Sequence, residues 1–469
     1  MTRAPERRQV TEPSRSQHER FAFGSLDALR RTIAGLGLDI PIADDVSVLM
    51  QPLEIAGRRV ANRIAIQPME GCDADKSGAP TELTHRRYRR YALGGSGLIW
   101  IEATAVEAEG RSNPRQLYLT EATLDGFESL VRAIRQAVRE RYGNSRYVPL
   151  VVQLTHSGRY AGPDGTPRPV ITQRNPILDP LSGIDDDSAL LGDEQLDRLQ
   201  DRFVHAAELA GRAGFDGVDI KACNGYLVSE LLASFNRDKS KYGGTFENRS
   251  RFLLEVVERI RAGVPGVFVT SRVSGHDGIR YPYGFGSDSG EPPEPDLKEP
   301  RELVRRLSAA GCPILNMSVG NPYHRPHYGR PFDKPERGER PPREHPLVSV
   351  GRLVGIAAEL QEAAGDTVMV GTGYSWLRQF FPHVGAAVIM SGGAGMIGLG
   401  RCAFAYPDAP ADLAEHGSLD PKKMCITCSS CTQIMRDGGR AGCVLRDAEV
   451  YGKEYRRGRE RARRRRDEG

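Results

Sequence analysis

Four cysteines fall within nineteen residues near the end of the chain, Cys425, Cys428, Cys431 and Cys443, spaced C-x2-C-x2-C-x11-C. Four thiolates can hold zinc tetrahedrally or ligate an iron-sulfur cluster. Zinc sites typically come as two C-x2-C pairs, or as cysteine pairs with histidine. Three cysteines at two-residue intervals with a distant fourth resemble cluster ligation. The spacing by itself leaves both open. The other four cysteines, Cys72, Cys223, Cys312 and Cys402, are scattered.

A second group of residues could bind an anion. Gly371 and Gly373 lie in TVMVGTG, and Gly398 to Arg401 read GLGR. Glycines let backbone amides approach a phosphate, and two such turns close together in a fold would make a phosphate site. Polar residues recur in QPME (67–70), IEAT (101–104), QLTHSGR (153–159), DIKACNGYL (219–227) and TSRVS (270–274). Each of these follows or ends an apolar run.

Those runs are the elements that must position the chemistry. RIAIQP (63–68), LIWIEAT (98–104), VPLVVQL (148–154), FDGVDIK (215–221), VFVTSRV (267–273), PILNMSV (313–319), TVMVGT (367–372) and MIGLG (396–400) are β-branched and apolar without alternation. That pattern suits parallel strands covered on both faces. Amphipathic helices lie between them, clearest in ATLDGFESLVRAIRQAVRERY and ENRSRFLLEVVERIRAG. Eight such units predict an α/β fold, a (β/α)8 TIM barrel, with the glycine turns after strands seven and eight where barrels commonly bind phosphate. A doubly wound sheet is the rival, but no GxGxxG follows the first strand. The run Ala386 to Met390 reads equally as a helix end or a strand.

In this order, Q-L-x-H-x-G-R, A-G-F-D-G-V-D-I, N-G-Y-L, Y-G-G-x-x-E-N-R and G-L-G-R make the chain resemble the old yellow enzyme family of flavin oxidoreductases over nearly all of residues 47 to 408. The resemblance implies a non-covalent FMN across the barrel mouth. Gln153 would bond the flavin pyrimidine and Arg272 would place positive charge beside it. Pro68 and Met69 would contact the ring, with Glu70 close by, and Gly371, Gly373, Gly400 and Arg401 would hold the phosphate. Lys221, Asn224 and Tyr226 would occupy the catalytic positions, Tyr226 as proton donor to carbon. Lys221 departs from the family's histidine; an ammonium donates but cannot accept, so it suits a carboxylate, phenolate or developing enolate oxygen. The alternative is that Lys221 turns to pair with Glu70 or Glu102. Glu70 is itself a departure, where the family has a small polar or thiol side chain. In the loop after strand six, His324 or His327 is expected as a proton relay to the tyrosine.

The cysteine spacing is also similar to that of the dienoyl-CoA reductases and trimethylamine dehydrogenases. It implies a [4Fe-4S] cluster on Cys425, Cys428, Cys431 and Cys443. Those relatives carry C-terminal nucleotide-binding domains; the 26 residues after Cys443 hold none. The expectation is therefore NAD(P)H as donor or a separate electron-transfer protein. The expected reaction is reduction of an activated C=C bond in a substrate with a carbonyl or carboxylate. The alternative is a dehydrogenase or demethylase of the trimethylamine dehydrogenase type.

Four regions follow: an N-terminal extension (1–46), partly disordered; the barrel (47–410); an iron-sulfur segment (411–452); and a basic tail (453–469). The residues FGSLDALRRTIAGLGLDIPI predict one short amphipathic helix over the barrel bottom or a neighbouring subunit, so a homo-oligomer is one expectation. The first twenty residues have no apolar core and are not a secretory signal, which predicts a cytoplasmic protein. At 39% hydrophobic and 27% charged, the chain offers no membrane span. From Lys453 onward nine Lys or Arg face four Asp or Glu, which outweighs the net +4 of the whole chain. Such a run reads as a solvated, disordered end rather than a nucleic-acid arm.

Overall fold

The computed structural model describes residues 17–467. Leu53–Ile55 (β1) and Arg58–Val60 (β2) pair antiparallel, Leu53 opposite Val60. Their two-residue link, Ala56-Gly57, has φ of 50° and 72°, the left-handed geometry that a tight hairpin requires. Ile55 and Val60 pack on Leu98, Ile314 and Met396, the first residues of three barrel strands. The hairpin thus closes the N-terminal end of the barrel.

The barrel strands are Ile64–Ile66 (β3), Leu98–Ala105 (β4), Leu150–Thr155 (β5), Gly217–Ala222 (β6), Phe268–Ser274 (β7), Ile314–Ser318 (β8), Val368–Gly371 (β9) and Met396–Leu399 (β10). All neighbours are parallel, and β10 closes on β3 with Ile397 opposite Ile64. The eight expected runs are the eight strands. Nearly every strand residue is buried, which is why their sequences do not alternate.

Helices follow each strand. In Leu124–Tyr142, Phe127, Leu130, Ile134 and Val138 form the buried stripe, and Gly143 at φ 79° ends it. Phe246–Gly263 is capped by Thr245, whose hydroxyl accepts from the Asn248 amide at 3.3 Å. The ambiguous run at Ala386 belongs to a helix, Phe381–Met390.

Two expectations are corrected. Helix Leu26–Gly35 does form, but it lies on the flank: Leu29 and Ile33 pack with Leu347, Val350, Phe381 and Val384, while the hairpin covers the bottom. The basic end is a helix, Ala448–Asp467. It is anchored where Arg86 and Arg90 each donate to Asp447 at 2.7 Å, by buried Tyr451, and by Arg459 at 3.5 Å from Asp437. Most of the N-terminal tail, residues 1–16, lies outside the described residues. Among the described residues no helix is long and apolar enough to cross a membrane.

Candidate active site

At the C-terminal mouth the strand ends surround a cavity of about 240 Å3. Eleven expected residues line it: Pro68, Met69 and Glu70 after β3, Gln153 on β5, Lys221, Asn224 and Tyr226 on and after β6, Arg272 on β7, and Gly373, Gly400 and Arg401 after β9 and β10. Gly371 does not. It ends β9 opposite Ile397, and Thr372 and Ser375 line the cavity in its stead. His324 is not on the wall either. The Asn321 side chain accepts from the Tyr323 amide at 2.9 Å, and Tyr323 stacks on Tyr160 with centroids 3.7 Å apart, so the loop presents Tyr323. Sequence reasoning missed Tyr323, Arg330 and Thr432; only their neighbourhood, a Pro/Gly-rich loop and the cysteine segment, was legible.

One side of the cavity is a charged cluster. Lys221 Nζ lies 3.5 Å from Glu70 Oε1 and 3.4 Å from the centre of the Tyr226 ring. Tyr226 Oη donates to Glu70 Oε1 at 3.3 Å and lies 3.4 Å from Tyr323 Oη. Of the two acids considered for Lys221, Glu70 is the partner. Glu102 instead receives Arg87, which also grips Asp73, and its Oε2 accepts the Gly71 amide at 2.5 Å. This buried network holds the backbone next to Glu70. A side chain at Gly71 would collide with the Arg87 guanidinium. Burial lowers the Lys221 pKa, while burial and then Glu70 hold Tyr226 well above the ordinary phenol range. Tyr226 therefore keeps its proton at neutral pH.

The other side is a ladder of oriented amides. Gln153 Nε2 donates to Asp219 at 2.7 Å, and Asp219 also accepts the Arg272 amide at 2.6 Å. Asn316 donates to Gln67 Oε1 at 2.7 Å. A Cβ at Gly398 would sit 2.0 Å from Gln67 Nε2, so only glycine leaves that amide in place. Among the described residues Gln67 Nε2, Arg272 Nε, Arg330 Nε and Arg401 Nη1 are buried without a partner. Buried donors left unpaired are costly, so a polar ligand at this mouth would satisfy what the chain leaves open.

The four clustered cysteines ring one small pocket beside the mouth, of about 20 Å3, together with Phe404 and Arg401. Cys431, Phe404 and Arg401 line both spaces. Thr427 and Ser429, at φ 48° and 57°, are left-handed without being glycine, so the CITCSSC loop is wound tightly. The Thr427 and Arg446 amides point at Cys425 and Cys443 sulfurs at 3.4 and 3.3 Å. Burial pushes the Cys425 thiol up to about 12 and raises Cys431 and Cys443. Among the described residues no three His, Cys, Asp or Glu side chains converge closely enough to hold one metal ion.

A closed parallel barrel whose C-terminal mouth combines oriented amides, arginines with unpaired buried nitrogens and a lysine-tyrosine-carboxylate cluster defines a TIM-barrel protein with a polar mouth. The chain belongs to the NADH:flavin oxidoreductase / NADH oxidase family, whose model matches residues 48–383. It is 28% identical over 376 residues to an NADH oxidase of Thermoanaerobacter brockii, covering 79% of this chain and 51% of that one. The fold is similar to 2-naphthoyl-CoA reductase in complex with 2-naphthoyl-CoA (TM-score 0.66, 21% identity, 87% of this chain and 58% of that one). It is also similar to histamine dehydrogenase from Rhizobium sp. 4-9 (TM-score 0.63, 23% identity, 85% and 52%). The chain spans about half the length of the curated relatives it matches.

Proposed function

We propose that this protein is an FMN-dependent NAD(P)H oxidoreductase that reduces an activated C=C bond and carries a [4Fe-4S] cluster. The observation that carries the reading is the convergence of Lys221, Asn224, Tyr226 and Glu70 on one wall of a mouth whose opposite wall holds Gln153, Arg272 and Arg401. When bound, FMN supplies the hydride chemistry that links NAD(P)H to the alkene.

The unpaired donors fit that cofactor. Asp219 takes Nε2 of Gln153, so the Gln153 oxygen would be the atom left to accept from a bound flavin. Arg272 offers an unpaired Nε and positive charge. Gly373, at φ 98°, Gly400 and the unpaired Arg401 Nη1 suit the phosphate. Lys221 and the Asn224 amide hold the substrate's carbonyl or carboxylate oxygen and stabilise charge developing there. Tyr226 gives its proton to the α-carbon. The Lys221 ammonium over its ring stabilises the resulting phenolate, and Tyr323, 42% exposed, returns a proton from solvent.

Cys425, Cys428, Cys431 and Cys443 would hold the cluster, a reading supported by their spacing and by the single pocket they ring. Coordination favours the thiolate form and so opposes the raised thiol pKa values. Cys431 lies on the wall shared with the mouth, so a cluster held there would adjoin the cofactor site. The alternative, amine dehydrogenation, has one observation in its favour: Glu70 puts a carboxylate in the mouth where a cationic amine would dock. Lys221 at 3.5 Å already neutralises it, which favours alkene reduction.

The test is anaerobic. The purified chain should carry flavin, iron and acid-labile sulfide, be reduced by NADH or NADPH, and be reoxidised by 2-cyclohexenone. A flavin-free protein, or one reduced by trimethylamine and inert to the enone, overturns the assignment.

A further inference from the structure

A second depression, a groove of about 1070 Å3, opens from the mouth; its volume is more than four times the 240 Å3 of the cavity. The two share Glu70, Tyr323, Met435 and Arg436, so a molecule held at Lys221 and Tyr226 can continue into the groove past Tyr323. A small enone would leave this space empty.

The groove walls have a definite chemistry. Arg115, Arg436 and Arg461 come from the loop after β4, helix Ser430–Arg436 and the basic terminal helix. Arg115 donates to two carbonyl oxygens, of Cys72 at 3.0 Å and of Gly438, which leaves its charge uncompensated. Arg436 reaches Glu336 and Glu339 only at 4.0 and 3.9 Å, and among the described residues Arg461 forms no ion pair. The remaining charges are internally paired. Arg159 is bonded to Asp179 at 2.6 Å and to Glu230, Asp437 faces Arg459 at 3.5 Å, and Glu70 faces Lys221. The outer wall is apolar where Leu178 and Leu181 line it, Leu181 being 63% exposed.

We infer that the substrate carries an extended tail ending in a carboxylate or phosphate, and that this groove binds it, with the basic helix supplying Arg461 as one wall. This inference rests on the proposed alkene reduction and deepens it. The basic run at the chain end is thereby assigned to substrate capture. Three cations around an open groove raise the local concentration of anions and fix the tail's register, while the leucines cover its hydrocarbon part.

The experiment uses the holoenzyme and four enones: 2-cyclohexenone without a tail, and derivatives with equal alkyl tails ending in hydroxyl, carboxylate or phosphate. KM should be lowest for the anionic tails and rise with salt for those alone. The variant Arg461→Ala should raise their KM by up to about fivefold, the upper end for an exposed ion pair, and Arg461→Glu by more, with the tailless enone unaffected. Arg461→Lys should restore most of the effect. The carboxylate and phosphate arms identify which anion the groove prefers. Equal KM for hydroxyl and anionic tails, or variants that shift the tailless enone equally, overturn the inference. Calorimetric binding of hexyl phosphate, hexanoate and hexanol to wild type and Arg461→Glu needs no turnover. If no enone is reduced but the anionic ligands bind and Arg461→Glu weakens them, the reaction assignment fails and the groove stands; no preference for the anions refutes the groove itself.

Discussion

Asp219→Asn is the sharpest perturbation of the proposed cofactor wall. Asp219 is fully buried on β6, opposite Gln153 in the strand register. Burial pushes its acid up to about 6, so at pH 7.5 it is a carboxylate with both donors satisfied, Gln153 Nε2 at 2.7 Å and the Arg272 amide at 2.6 Å. An asparagine has one acceptor and one NH2. The Arg272 amide is fixed in the β7 backbone and keeps the oxygen, so the NH2 faces Gln153. To avoid two donors meeting, the Gln153 amide must flip, which turns Nε2 toward the mouth. A flavin acceptor contact is then replaced by an opposed pair. The cost of one lost bond with an unsatisfied partner is about 1–3 kcal/mol, or roughly 5- to 150-fold in the FMN Kd. Fluorescence titration of the flavin-free protein at pH 7.5 reads this directly.

Stability supplies an independent check on the same variant. An acid whose folded pKa is raised contributes stability below its unfolded value near 4, and that contribution is lost as pH rises through 6. The shift amounts to about 3 kcal/mol. Urea unfolding of the wild type should therefore weaken between pH 4 and 6 by an amount that Asp219→Asn lacks. An FMN Kd within twofold of wild type, with that pH step removed, would refute the claim that Asp219 orients Gln153 toward a flavin.

Two further outcomes are expected. Tyr226→Phe removes only weak contacts, at 3.3 and 3.4 Å, so folding should hold. Stopped-flow should show the enone step slowed about 10²- to 10⁴-fold while reduction by NAD(P)H is nearly unchanged; equal slowing of both half-reactions speaks against a proton donor. Arg87→Met strands buried Asp73 and Glu102 and should cost about 3–5 kcal/mol in urea unfolding at pH 7.5. The loss should shrink toward pH 5 as stranded Glu102, whose acid burial already pushes up to about 7, protonates, and a loss independent of pH would mean the network is packing rather than charge.

The barrel was legible because parallel strands buried on both faces leave unbroken apolar runs, and all eight did. The β1–β2 hairpin was not, since LEI and RRV are short, carry charged exposed residues and form no apolar run, although Ala56-Gly57 between them was a usable turn signal. Among the site residues, those on strand ends stand where their position in the run places them: Gln153, Lys221 and Arg272 face the mouth. In the loop after β8 it is Tyr323 rather than His324 that lines the mouth, because a side chain, Asn321, sets that loop's rotation. No periodicity reports such a contact.

The same distinction explains the chain end. Charge composition argues for solvation, and the exposed arginines agree with it; what it omits is anchorage. Asp447 supplies that anchorage through residues 357 or more positions earlier in the chain, Arg86 and Arg90 on the helix after β3, and the buried Tyr451 adds to it. Once docked, the helix brings Arg461 to a groove that no linear reading could assemble, since its three arginines, Arg115, Arg436 and Arg461, come from separated segments. A basic run is therefore uninformative about its ligand until its anchor is known. Here the anchor sets Arg461 in the groove wall beside the mouth, where the proposed anionic tail would meet it.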